Sequence, residues 1–284
     1  MALVSQCWGY CSDQLFADMF YFRSMELTSV IYEKRGSVAY ITLNRPDVFN
    51  AFDEAQSYDL QAALKEAGKD SEVRVLVLSG AGKAFCSGQD LKAIAGSTNR
   101  SLSDSLYKRY NPIIKAMREM PKPIIGRING VAAGAGASLA LACDFIIAVD
   151  TASFIEVFVN VGLVPDSGSS YFLPKAISPA RAFEMATMAP KVSAEKAMEW
   201  GLINRVVSAE VLDEEVSKVA DYYASAPTMA IGMIKKMLNK AGHSDLQTML
   251  QYEAYCQEIA GRSNDYREGV TAFNEKRKPA FKGN

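Results

Sequence analysis

The feature that most restricts the fold is an alternation of two patterns along the first half of the chain. Short β-branched runs at 29–33, 38–43, 73–78, 123–128 and 145–149 are separated by stretches of helical spacing, including 54–67, 106–120 and 135–143. Strands that are apolar along their length, with helices between them, predict an α/β fold whose strands are covered on both faces. After about residue 176 the strand pattern stops. The segments 178–189, 193–200, 211–226, 227–241, 246–260 and 266–276 all have helical spacing, several with start signals such as Ser193 and Pro227. An α/β core followed by a helical region is therefore expected, with the helices packed on the core or on a neighbouring subunit.

Composition removes several classes of function. With 49% hydrophobic and 22% charged residues in 284, the chain can bury a core and is not a disordered protein. Thirty-one basic against 32 acidic residues leave no global attraction to nucleic acid or to an anionic membrane. The apolar stretch 131–149 contains Gly134, Gly136, Ser138 and Asp144, so it suits a buried helix running into a strand better than a membrane span. His243 is the one histidine, which excludes multi-histidine metal sites and leaves little room for a Ser-His-Asp set. Cys7, Cys11, Cys86, Cys143 and Cys256 form no CxxC pair, which suits a reducing, cytoplasmic setting.

Residues 1–24 crowd Trp8, Tyr10, Phe16, Phe20, Tyr21 and Phe22 without helical or strand period. Asp13 and Asp18 argue against a mitochondrial presequence, and the final Phe281-Lys282-Gly283-Asn284 is not a peroxisomal address. An appended tail with Met25 as the functional start is expected.

Two glycine-bearing loops carry the chemistry. Lys83-Ala84-Phe85-Cys86-Ser87-Gly88-Gln89-Asp90-Leu91-Lys92 follows the strand at 73–78, and Gly88 permits a backbone turn that aims the next amide into a cavity. Asn129-Gly130-Val131-Ala132-Ala133-Gly134-Ala135-Gly136-Ala137-Ser138 follows the strand at 123–128 and opens a helix. The first amides of a helix have no partner within it and sit at its positive end. Two such N–H groups, converging, make an oxyanion hole; tight turns made for close packing would leave the same spacing. The second loop has no nucleotide-binding pattern, since it lacks Gly-Lys-Ser/Thr and the rest of GxGxxG.

With these loops, Leu43-Asn44-Arg45-Pro46, Gly162-Leu163-Val164-Pro165-Asp166 and Arg267-Glu268-Gly269 occur in one order. On these motifs residues 25–284 resemble the crotonase (enoyl-CoA hydratase/isomerase) superfamily. The resemblance implies a crotonase-type spiral of ββα units over 25–200 and a helical trimerisation region over 201–284. It implies a homotrimer or dimer of trimers and an acyl-CoA thioester as substrate, coenzyme A being part of the substrate and no separate cofactor needed. The thioester carbonyl would be held by the N–H groups of Gln89 and Ala135. Ser87, Gly88, Asp90, Leu91, Lys92, Gly134, Ser138 and Phe158 would form the substrate and coenzyme A contacts. Asp90 and Asp144 would also serve loop and helix geometry.

Counting acids separates the reactions. Family hydratases use two glutamates, and the corresponding positions here are Ser138 and Phe158, neither of which can act as an acid. Asp166 matches the acidic position of the Δ3,Δ2-enoyl-CoA isomerase branch, where one base moves a proton between two carbons. The segment also resembles the phenylacetate-catabolic branch that converts 1,2-epoxyphenylacetyl-CoA to oxepin-CoA, although that branch has Asn where Ser138 stands. The same Asp166 precedes Ser-Gly-Ser-Ser and has the form of a helix N-cap. Glu156 is expected on one strand face with Phe154 and Phe158, in a structural or surface role. An isomerase is the expected activity; a hydratase with unusual acid and base groups, or a non-catalytic acyl-CoA-binding homologue, is the alternative.

Overall fold

The computed structural model describes residues 27–93, 95 and 101–284; the expected tail at 1–24 and the start at Met25 lie outside them. Strands β1 (Val30–Arg35) and β2 (Val38–Leu43) form an antiparallel hairpin at one edge of a six-stranded sheet. Beside β2 run β3 (Val75–Gly80), β5 (Ile124–Ile128) and β7 (Phe145–Val149), all parallel. Every residue of β3 is buried, as a central parallel strand covered on both faces requires.

After β3, β5 and β7 the chain turns within a few residues and lays down a second strand. These strands are β4 (Ala84–Cys86), β6 (Val131–Ala133) and β8 (Ser153–Ile155), and they pair in parallel in a smaller sheet. The repeated strand–strand–helix step is the expected ββα spiral.

Helix α1 (Glu54–Lys69) shows how local sequence sets an element. Asp53 caps it by accepting from Gln56 N–H at 2.8 Å, and Leu60, Ala63, Leu64 and Ala67 make its buried stripe. The expected helix at 106–120 is built differently. A short turn at Leu102–Ser105 runs through a π-helical stretch, Leu106–Tyr110, into α2 (Asn111–Glu119). The wider π turn accompanies the burial of Arg109 and Tyr110. Helix α3 (Ala135–Leu141) is buried on every side, as its Ala, Gly and Leu composition allows.

One expectation needs correction. Strands do not stop at residue 176: β9 (Val192–Ser193) pairs antiparallel with β8, and β10 (Arg205–Val207) pairs in parallel with β7. The chain beyond residue 200 also contributes to the core. Strand β10 is the far edge of the main sheet, and a helix at Leu212–Ser225 packs across β3, β5 and β7. Strands of two and three residues are too short for a hydrophobic period to appear in sequence, so only pairing reveals them.

Candidate active site

The two glycine loops meet. Gly88 has φ +93°, and a Cβ placed on it would lie 2.8 Å from the carbonyl oxygen of Ala133 and 3.5 Å from the amide nitrogen of Ala135. Only glycine allows both that backbone and that approach. Gly136, in the first turn of α3, is pressed still closer: its Cβ would stand 2.1 Å from the Cys86 carbonyl oxygen. The start of α3 is thus seated directly on β4 and the loop that follows it.

Next to this junction lies a cavity of about 550 Å³, walled by both loops, the 102–111 segment and the chain from 157 to 167. Its lining is largely apolar, and Leu91, Val161 and Val164 are more than half exposed, at 54%, 55% and 78%. Apolar side chains left open around a cavity suit a partly apolar ligand.

Most of the expected site residues meet here. Ser87, Gly88, Gln89, Leu91, Gly134, Ala135, Phe158 and Asp166 all line the cavity. Asp90, Lys92 and Ser138 stand outside its lining. Asp90 is buried in its own loop: it pairs with Arg45 at 3.1 Å and accepts the Lys92 and Ala93 amides at 3.1 Å each. Those charge-assisted contacts hold its carboxyl below the usual aspartate range, the Ala93 amide foremost. Lys92 is exposed off the cavity wall. Ser138 is sealed behind the wall, 0% exposed, with its hydroxyl 3.0 Å from the Asp166 carbonyl oxygen.

Sequence reasoning passed over Tyr110. It lines the cavity, its hydroxyl donates to Gln89 Oε1 at 2.7 Å, and its ring meets Phe52 edge-on. The Gln89 amide group donates to the Phe52 carbonyl at 2.8 Å, so its side chain is held at both ends. No spacing rule marks such a residue, because the contact joins segments distant in sequence.

Asp166 is the acidic side chain on the cavity wall among the described residues. Burial pushes its carboxyl above the usual aspartate range, while the Ser167 hydroxyl, donating at 2.8 Å, opposes the rise. The N-cap reading does not hold for its side chain. Helix α4 (Ser169–Ala176) has Gly168 at the cap position with no side-chain cap bond, and the Asp166 backbone carbonyl takes the Ser169 N–H at 3.0 Å. The carboxylate caps no helix, and Asp166 lines the cavity. Ser167 sits at φ +51°, a left-handed conformation unusual for serine, in the turn that presents Asp166.

Of the structural and surface places expected for it, Glu156 takes the buried one. It follows β8, is 0% exposed, and its Oε1 lies 2.9 Å from Ser169 Oγ. Burial pushes its carboxyl up to about 7.

Known proteins match this architecture. The sequence model of the family described as enoyl-CoA hydratase/isomerase covers residues 33–284. A 1,2-epoxyphenylacetyl-CoA isomerase from Escherichia coli K12 is 42% identical over 249 residues, 87% of this chain and 95% of that protein. A probable enoyl-CoA hydratase from Rhodobacter capsulatus is 40% identical, covering 91% of this chain and all of that one. The crystal structure of an enoyl-CoA hydratase from Bacillus anthracis superposes with a TM-score of 0.86 at 33% identity, over 90% of this chain and 100% of that one.

Proposed function

The chain belongs to the enoyl-CoA hydratase/isomerase family, and from that premise we propose that it is an acyl-CoA isomerase with Asp166 as its base. The supporting observation is the disposition of acids: Asp166 faces the cavity, whereas the hydratase glutamate positions hold Ser138, sealed behind the wall, and Phe158. The thioester carbonyl is received by the N–H groups of Gln89 and Ala135, at the junction of the two loops. Asp166 takes a proton from the carbon next to that carbonyl in a 3-enoyl thioester, and the electron pair moves into a dienolate whose oxygen those amides stabilise. The same carboxyl returns the proton two carbons further along, leaving a 2-enoyl thioester. One group carries the proton both ways, so no second acid is required. Its raised affinity for protons makes the carboxylate a stronger base for the first step.

The E. coli relative's name adds an epoxyphenylacetyl thioester as a second substrate to try. A homotrimer or dimer of trimers is the proposed assembly, supported by large apolar side chains exposed on the last helices, Leu238 at 70% and Phe273 at 82%.

A panel of 3-enoyl, 2-enoyl and epoxyphenylacetyl thioesters tests the reading. Isomerisation of the first creates the 2-enoyl chromophore, whereas hydration of the second destroys it. Asp166→Asn is expected to abolish turnover while thioester binding persists. Full turnover by that variant removes the base, and loss of the chromophore in the wild-type protein points to a hydratase.

A further inference from the structure

Behind the cavity wall lies a polar cluster that this reaction does not use. Glu156, Ser169 and Ser138 are each 0% exposed. They form a line of short contacts: Glu156 Oε1 to Ser169 Oγ at 2.9 Å, Ser169 Oγ to Ser138 Oγ at 2.7 Å, and Ser138 Oγ to the Asp166 carbonyl oxygen at 3.0 Å. A third acceptor, the Gly134 carbonyl, is farther from Ser138 Oγ, at 3.2 Å; it takes the Ser138 N–H, as the Asp166 carbonyl takes that of Ser169.

Each hydroxyl has one proton to donate, so, with the 2.7 Å Ser169–Ser138 contact hydrogen-bonded, the line has two orders. An ionised Glu156 only accepts. Ser169 then donates to Glu156, Ser138 donates to Ser169, and the Asp166 carbonyl receives nothing from the hydroxyls. A neutral Glu156 donates to Ser169, Ser169 to Ser138, and Ser138 to the Asp166 carbonyl. Geometry favours the neutral acid. Its Oε2 is buried without a hydrogen-bond partner among the described residues, a costly place for an ionised oxygen.

The flanking elements supply no compensating cation. Strands β6 and β9 carry no titratable side chain, and α6 (Ala194–Glu199) has its Glu195, Lys196 and Glu199 exposed. Helix α5 (Pro179–Met188) has Arg181 over the Trp200 ring and Glu184 exposed. The charge acting on Glu156 is that of Asp166, which adds to the effect of burial in disfavouring ionisation, while the Ser169 hydroxyl, as a donor to the ionised form, opposes both.

We propose that Glu156 is a positioning residue for Asp166: by keeping its proton it orders the Ser169–Ser138 pair so that Ser138 anchors the Asp166 carbonyl. The strained Ser167 turn is what the anchor holds down. This rests on Asp166 as the base, and the experiment separates the two. With the fastest-reacting thioester of the panel, kcat and KM are measured from about pH 5 to about pH 9 for wild type, Glu156→Gln, Ser138→Ala and Asp166→Asn.

Wild-type kcat should fall about three- to tenfold as Glu156 ionises, the worth of one hydrogen bond, with KM little moved. Glu156→Gln, which donates but cannot ionise, should lose that step. Glu156→Met, which cannot draw the Ser169 proton, should lose it too and serves if the amide disturbs folding. Ser138→Ala should be slow throughout, with no step. An alkaline step retained in both Glu156 variants, or a Ser138→Ala profile equal to wild type, overturns the proposal while an inactive Asp166→Asn leaves the base assignment standing. A fully active Asp166→Asn removes the base and this role of Glu156 together.

Discussion

At the scale of single residues, two carboxyls with raised proton affinity, Glu156 buried and Asp166 partly so, sit on either side of one wall. Replacing Asp166 by Asn is expected to lower kcat by about a hundred- to ten-thousandfold, the usual span for a lost general base, as read from the 2-enoyl absorbance. Because burial raises its carboxyl, the acid limb of the wild-type rate profile should lie above the ordinary aspartate range. Glu156 makes a prediction about stability instead. Its carboxyl rises from 4.5 to about 7 on folding, so between those values the folded chain binds the extra proton. Stability is therefore full below about 4.5, falls as pH rises through the window and levels off above about 7, a loss of about 3 kcal/mol. Glu156→Gln should remove this dependence, and the difference in Tm between the two proteins should change across the window accordingly. Asp166 was legible in sequence, because Pro165-Asp166 stands in a motif. Glu156 was not, since its burial depends on a helix that arrives thirteen residues later at Ser169.

At the scale of elements, the site depends on how closely α3 sits on β4. A methyl group on Gly136 would meet the Cys86 carbonyl at 2.1 Å, and that oxygen belongs to a paired strand. Gly136→Ala is expected to cost about 1–3 kcal/mol as the helix start is pushed away, seen as a lower thermal midpoint, and to reduce turnover by moving Ala135. The main strands and nearly all the helices could be read from periodicity. The smaller sheet could not, because β4, β6 and β8 have three residues each and no room for a period. They are nevertheless the strands that carry both glycine loops to the cavity.

At the scale of the whole molecule, Asp144 ties the C-terminal helices to the core. Its carboxylate accepts the Ile124 amide at 2.9 Å, pairs with Arg118 at 2.8 Å, and pairs with Lys235 at 2.6 Å. Lys235 lies in the helix Thr228–Ala241 and is only 5% exposed. Burial pulls its ammonium below the usual lysine range, and Asp144 works against that pull. Asp144→Ala would strand this charge, and a loss of about 3–5 kcal/mol is expected in urea unfolding, with the midpoint lowered at constant slope. Sequence alone determined the α/β class, the order of motifs, the glycine turns and the place of Asp166, because these rest on local backbone preference and on spacing along the chain. Tertiary structure alone decided that Asp90 and Ser138 face inward, that Tyr110 joins the wall, and that Glu156 is buried beside Ser169. Those outcomes depend on which segments pack together and on how much water packing removes, and neither is set by a residue's neighbours in the chain.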